Sequence, residues 1–181
     1  MYLEEAIELI KTHQDNSDVY DNINGTLKSD YIDIESFPIK FKQAIEKYLK
    51  YDLVEFQLFC SIGKSKGIGE HTDPANVLII CLEGEVSYSV EKTEPVTLYA
   101  GDTIYIEEGL RHSGFSSTVP RICLSTEVKG YVPKEDVTYY FGGGQESYIP
   151  EIHSGLYQVT ADELKDLELI PFQNFQMKPP K

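Results

Sequence analysis

The chain has 181 residues and a formal net charge of −14. That length fits one domain with a proper apolar core, and so acidic a chain lacks the basic footprint of a nucleic-acid binder. No charged-then-apolar leader opens it, and no apolar run approaches the roughly 20 residues of a membrane span; a cytoplasmic protein with no membrane or nucleic-acid partner is expected.

Residues 2–14 place Leu3, Ala6, Ile7 and Ile10 on one side, the spacing of a short amphipathic helix. Residues 15–30, rich in Asp, Asn and Ser, read as loop. A second helix is predicted over 38–50, with Phe41, Ala44, Ile45, Tyr48 and Leu49 as its apolar stripe. Pro38 suits the first turn, where its missing N–H costs nothing. Strands take over at 54–61, and Gly63, Gly67 and Gly69 then make a flexible entry to the strand expected at His71.

The run 77–82 is unbroken apolar sequence, as expected of a strand buried on both faces. Val86, Tyr88 and Val90 alternate with polar residues, so that strand has one inward face. A turn at 93–95, a strand at 96–99, a tight turn at Gly101 and Asp102, and alternation through Ile104 and Ile106 come next. Short strands at this spacing predict a mainly β chain, a double-sheet jelly roll of roughly eight strands with the two helices packed on one sheet. Cys60, Cys81 and Cys123 each fall inside an apolar run and read as buried free thiols, not as a disulfide set.

The organisation expected is a single domain: a helical N-terminal region over 1–52, a jelly-roll core over 53–130 and an extension over 131–181. In the extension, Tyr139, Tyr140 and Phe141 lead into three glycines that read as a mobile loop. His153, alone in a Tyr-rich stretch, reads as a surface group. Thr160 and Glu163 form a capping box ahead of a short C-terminal helix. A lid and a homodimer contact explain the extension equally well.

The chemistry lies in the middle of the chain. His71 and Asp73 are two residues apart, so on an extended strand they share a face. His112 arrives after further strand-like runs. Two imidazoles and one carboxylate, with positions left open, suit non-haem Fe(II). An H-x-D pair alone arises by chance in solvated loops; the surrounding spacing gives it weight. Gly101, Gly109 and His112 match the second cupin motif, with Glu107 where Pro is usual. His71, Asp73, Val77 and Gly84 stand at the first-motif positions for two His, a Glu and a Gly, so a four-ligand set becomes three.

The stretches HTDPANVLIICLEG and LYAGDTIYIEEGLRH resemble the cupin-type Jumonji-C oxygenases, especially the ribosomal-oxygenase branch, over about the middle third of the chain. The resemblance implies a double-stranded β-helix, Fe(II) held by His71, Asp73 and His112, 2-oxoglutarate as co-substrate, and hydroxylation of a small molecule or a peptide side chain. In that family a basic residue just after the Gly84 position binds the far carboxylate of 2-oxoglutarate; here Glu85, Val86, Ser87 and Tyr88 stand there. Arg121, soon after His112, is similar in placement to the co-substrate arginine of prolyl-hydroxylase-type oxygenases. Its planar fork can meet a carboxylate bidentately. Arg121 and Tyr88 are therefore the cofactor-binding candidates, while a plain pairing of Arg121 with a surface Glu stays open beside this. Arg111, next to His112, should point to the opposite face. Two other classes fit the same residues: a metal-dependent cupin dioxygenase or isomerase that does not use 2-oxoglutarate, and a non-enzymatic cupin that binds a small ligand.

Overall fold

Apolar alternation in the strands builds two sheets, and the computed structural model describes residues 2–13, 25–116 and 120–143 of them and their surroundings. Nine strands lie among the described residues: β1 (Thr26–Lys28), β2 (Leu53–Ser61), β3 (Asn76–Glu83), β4 (Glu85–Val90), β5 (Val96–Tyr99), β6 (Thr103–Ile106), β7 (His112–Phe115), β8 (Arg121–Val128) and β9 (Tyr139–Phe141). One sheet runs β1-β2-β8-β3-β6-β9 and the other β5-β4-β7. All pairings are antiparallel except β6 with β9. This is the expected jelly roll.

Two helices, α1 (Leu3–Thr12) and α2 (Ile39–Ile45), cover the outer face of the larger sheet. Helix α1 buries Ala6, Leu9 and Ile10, and it carries Glu4 and Glu5 in its first turn and Lys11 in its last, the charge order that favours the helix dipole. Phe41 of α2 is fully buried, edge-on to Tyr2 and stacked on Phe37. A second apolar cluster fills the space between the sheets, with Val77, Ile79 and Cys81 of β3 facing Val86, Tyr88 and Val90 of β4. Strand β3 has side chains in both clusters, which is why its run 77–82 is buried throughout.

Three expectations need correction. The second helix does not continue to residue 50: after Ile45 the chain tightens into a 3-10 turn, Glu46–Tyr48. There the Tyr48 hydroxyl donates to Thr103 Oγ1 at 3.2 Å and to the Asp136 carbonyl at 3.1 Å, contacts that tie the turn to the sheet. Part of the expected loop 15–30 is strand β1, because the open edge of β2 pairs with Thr26, Leu27 and Lys28. His71 and Asp73 do not sit on a strand. His71 makes only an isolated bridge, and Pro74, which has no N–H to give a ladder, comes directly after Asp73. His153 and the capping box at Thr160 and Glu163 lie outside the described residues, as does most of the extension.

Replacing Phe41 by Ala should lower unfolding stability by about 3–5 kcal/mol through loss of burial and the cavity left behind. Denaturant titration of the variant measures this, and metal affinity of the folded fraction should stay unchanged.

Candidate metal centre

His71 and His112 are joined first through their backbones. The His71 N–H donates to the His112 carbonyl at 2.9 Å, and the His112 N–H donates back to the His71 carbonyl at 2.8 Å. Their rings lie 4.5 Å apart, centre to centre. Asp73 is brought in by a further bond, its carbonyl accepting from the Gly109 N–H at 3.0 Å. Upstream, Gly67 has φ +68°, and a Cβ there would run into the Gly114 carbonyl oxygen; only glycine lets this entry loop press against β7.

Each imidazole is oriented the same way. His71 Nδ1 lies 2.9 Å from the Gly69 carbonyl, and His112 Nδ1 lies 3.0 Å from the Leu110 carbonyl. A carbonyl can only accept, so the proton sits on Nδ1 and Nε2 keeps its lone pair. Both Nε2 atoms turn to Asp73: His112 Nε2 is 3.4 Å from Oδ2 and His71 Nε2 is 3.8 Å from Oδ1. The three donors all lie within 4.8 Å of one another. Donors about 2.1 Å from one ion and at right angles to each other would be about 3.0 Å apart, so small rotations suffice to close on a metal. The donor set fits a divalent first-row ion.

Electrostatics support the same arrangement. When His112 is protonated at both nitrogens its Nε2–H bonds Asp73, and this, set against partial burial, holds the Asp73 carboxyl below its ordinary range. Burial opposes charge on His112, yet Asp73 and the Leu110 carbonyl outweigh it and raise its pKa above the ordinary 6.5.

The three donors open on a cavity of about 240 Å³, which Tyr88 and Arg121 also line. Arg121 is 2% exposed. Its Nη2 donates to Ser61 Oγ at 2.8 Å and Thr26 Oγ1 at 3.4 Å, and Nη1 to Cys123 Sγ at 3.8 Å. Its Nε is buried with no partner. Among the described residues it forms no ion pair. Tyr88 is 7% exposed, and the charges of both Arg121 and Asp73 act on it. Its ring lies against Gly114, where a Cβ would meet Cε1 at 2.7 Å. Val86, at the position where a basic residue would be usual, is 1% exposed and packed in the apolar cluster between the sheets. Arg111 lies outside the cavity lining, with its Nε 3.7 Å from Glu70.

Sequence reasoning missed the acidic side of the cavity, formed by Glu55 and Glu127 beside Tyr31. Glu127 had a signal: Arg121, Cys123, Ser125 and Glu127 alternate along one strand. Glu55 had none, because it sits at a break in the β2–β8 register with φ +56°, a conformation that no local pattern announces. Burial first, and then the charge of Glu55, raise the pKa of Glu127.

The comparisons with known proteins come down to architecture. The ribosomal oxygenase YcfD from Escherichia coli is 14% identical and aligns with a TM-score of 0.50, over 81% of this chain and 49% of its own. The chain has the cupin fold. A cupin superfamily protein from Desulfitobacterium hafniense is 14% identical over 61% of this chain and 83% of its own, with a TM-score of 0.43. The DMSP lyase DddQ from Ruegeria pomeroyi is 20% identical over 45% and 41%, with a TM-score of 0.38. No family model and no curated protein matches the chain. No helix among the described residues is long and apolar enough to cross a membrane.

Alanine at His71, Asp73 or His112 should leave the far-ultraviolet circular dichroism unchanged. Affinity for Co(II), read by calorimetry, should fall by more than the roughly 10–100-fold that loss of an outer partner costs. Because protons compete for His112 and its pKa is raised, affinity should weaken as pH falls through a point above 6.5. Titrations between neutral and mildly acidic pH check the sign.

Proposed function

We propose that this chain is a non-haem Fe(II)-dependent oxygenase that uses 2-oxoglutarate and O2 to hydroxylate a small molecule or a peptide side chain. One observation carries the reading: the His71, Asp73 and His112 donors share a cavity with a buried arginine that has no carboxylate partner among the described residues. A cation buried with no carboxylate beside it and one N–H unused is costly, so an anion is the natural occupant of that end of the cavity.

In this reading His71 and His112 hold the metal through Nε2, with Nδ1 fixed by the backbone. Asp73 supplies a compensating negative charge. Arg121 receives the outer carboxylate of 2-oxoglutarate, and Tyr88, which lines the same cavity, can donate its phenol proton to the same molecule. The iron and its co-substrate supply the oxidising chemistry when bound; the protein holds geometry and excludes water. The cavity is somewhat below the roughly 300–1,000 Å³ of drug-sized sites, which suits a compact co-substrate and the tip of a substrate. The charge of −14 suits neither nucleic acid nor a phosphate-lined surface as partner. A cytoplasmic location and a homodimer belong to the same proposal.

A second reading has one observation in its favour. With Val86 where a basic residue is usual, a substrate that chelates the metal directly, with no 2-oxoglutarate, also accounts for an anion at Arg121.

Release of labelled CO2 from 2-oxoglutarate, dependent on added Fe(II), separates the two. Arg121→Ala should raise the apparent KM for 2-oxoglutarate strongly, in line with the about 2–5 kcal/mol lost when one member of a buried charge pair is removed, while Co(II) affinity hardly changes. Equal use of 2-oxoglutarate by variant and wild type would transfer the case to the second reading.

A further inference from the structure

Cys81 and Cys123 take no part in the chemistry above, yet the fold sets them face to face. They are direct partners across β3 and β8. Both side chains belong to the cluster between the sheets, and both are fully buried. The backbone fixes their type of pairing. The Cys81 N–H donates to the Asp102 carbonyl at 2.9 Å, and the Cys81 carbonyl accepts from the Gly101 N–H at 2.8 Å. Both polar groups of Cys81 therefore point to the turn before β6, away from β8. A residue that turns both groups to one neighbour forms the non-hydrogen-bonded pair with the other, the kind with the closer side chains. Its Cα separation of about 4.5 Å falls inside the range of about 4.4–6.8 Å that disulfides span. The ladder also becomes irregular between Cys81 and Glu83, so the strand has slack at this point.

The two sulfurs are chemically unequal. Cys123 Sγ accepts from the Arg121 guanidinium at 3.8 Å, and the neighbouring Cys81 thiol and the Arg121 charge favour its thiolate against burial. Cys81 keeps its proton, its pKa raised by the neighbouring Cys123 and by burial, and its thiol donates to the carbonyls of Glu83 at 3.7 Å and Gly84 at 3.6 Å. A thiolate beside a protonated thiol is the pairing from which oxidation proceeds to a disulfide. Cys60 differs: it lies in the cluster on the helix side of the sheet, and burial pushes its thiol up to about 11.

We propose that Cys81 and Cys123 are an oxidisable dithiol that closes to a cross-strand disulfide when a peroxide enters the fold. The Cys123 thiolate attacks one peroxide oxygen, the O–O bond breaks, and hydroxide leaves with the proton that Cys123 had lost, as water. The Cys81 thiol then attacks the resulting sulfenic sulfur; the S–S bond forms and a second water departs. Two thiols and one hydrogen peroxide thus give one disulfide and two waters. The sulfurs lose the two electrons that the peroxide oxygens gain. Closure removes the anionic acceptor next to Arg121, so this site senses oxidant at the cationic end of the cavity.

The test uses the reduced full-length protein with EDTA and hydrogen peroxide, quenched by alkylation under denaturing conditions and mapped by mass spectrometry. The expected result is a peptide pair linked through Cys81 and Cys123, lighter by two hydrogens, in a protein that stays monomeric on a non-reducing gel, with Cys60 still alkylated. In Cys81→Ser, a sulfenic-acid trap should label Cys123; if that variant fails to fold, the wild-type map still decides. Cys81 and Cys123 both recovered as alkylated thiols would overturn the proposal. So would a link through Cys60, or a link found only between two chains.

Discussion

His71 and His112 hold each other by the backbone before either ring is considered, each N–H donating to the other's carbonyl. That short bridge is what the candidate centre depends on. It ties an irregular loop to the first residue of β7, and it sets two rings side by side without using any of their own nitrogens. Each ring then uses Nδ1 on a carbonyl two residues earlier, of Gly69 and of Leu110. The remaining nitrogens can only point to Asp73. With the bond from the Gly109 N–H to the Asp73 carbonyl, five hydrogen bonds, each accepted by a backbone carbonyl, thus bring the three donors together.

Arg121 presents the opposite problem, a charge the fold buries without a carboxylate beside it among the described residues. Hydroxyls of Ser61 and Thr26 and the sulfur of Cys123 replace part of its lost hydration, and one N–H is left over. Such groups cost stability in the empty state and return it when an anion arrives. The metal donors and the guanidinium share one cavity because β8 carries Arg121 along its inner face, while the loop and β7 supply the donors from the other side. The jelly roll works here as a spacer between a cation and a carboxylate-bearing donor set.

Much of this was legible in the sequence, for identifiable reasons. Strand β3 announced itself because burial on both faces demands an unbroken apolar run, and β4 because a half-buried strand must alternate. Arg121 stood out for being one of only two arginines. What was not legible depended on partners distant in the chain. Strand β1 exists because β2 offers it an edge, and local composition carries no trace of that. The early tightening of α2 goes with Tyr48 reaching Thr103 and Asp136, far along the chain. Glu55 enters the cavity from a break in register that only the pairing of β2 with β8 creates. The loop geometry of His71 and Asp73 gave the same convergence that a strand would have given, by different means.

The ends of the larger sheet have a consequence for solubility. Among the described residues, that sheet terminates in β1 on one side and β9 on the other, and each is only three residues long. A free strand edge is a template on which another chain can add, and the long, apolar β3 would be a dangerous one. Here β3 lies between β8 and β6, and the outermost strands are too short to offer a stranger more than a few bonds. The parallel β9, unusual in an otherwise antiparallel sheet, shields the edge of the buried strand β6. A protein with so apolar a middle can in this way remain separate from its own copies at the sheet edges.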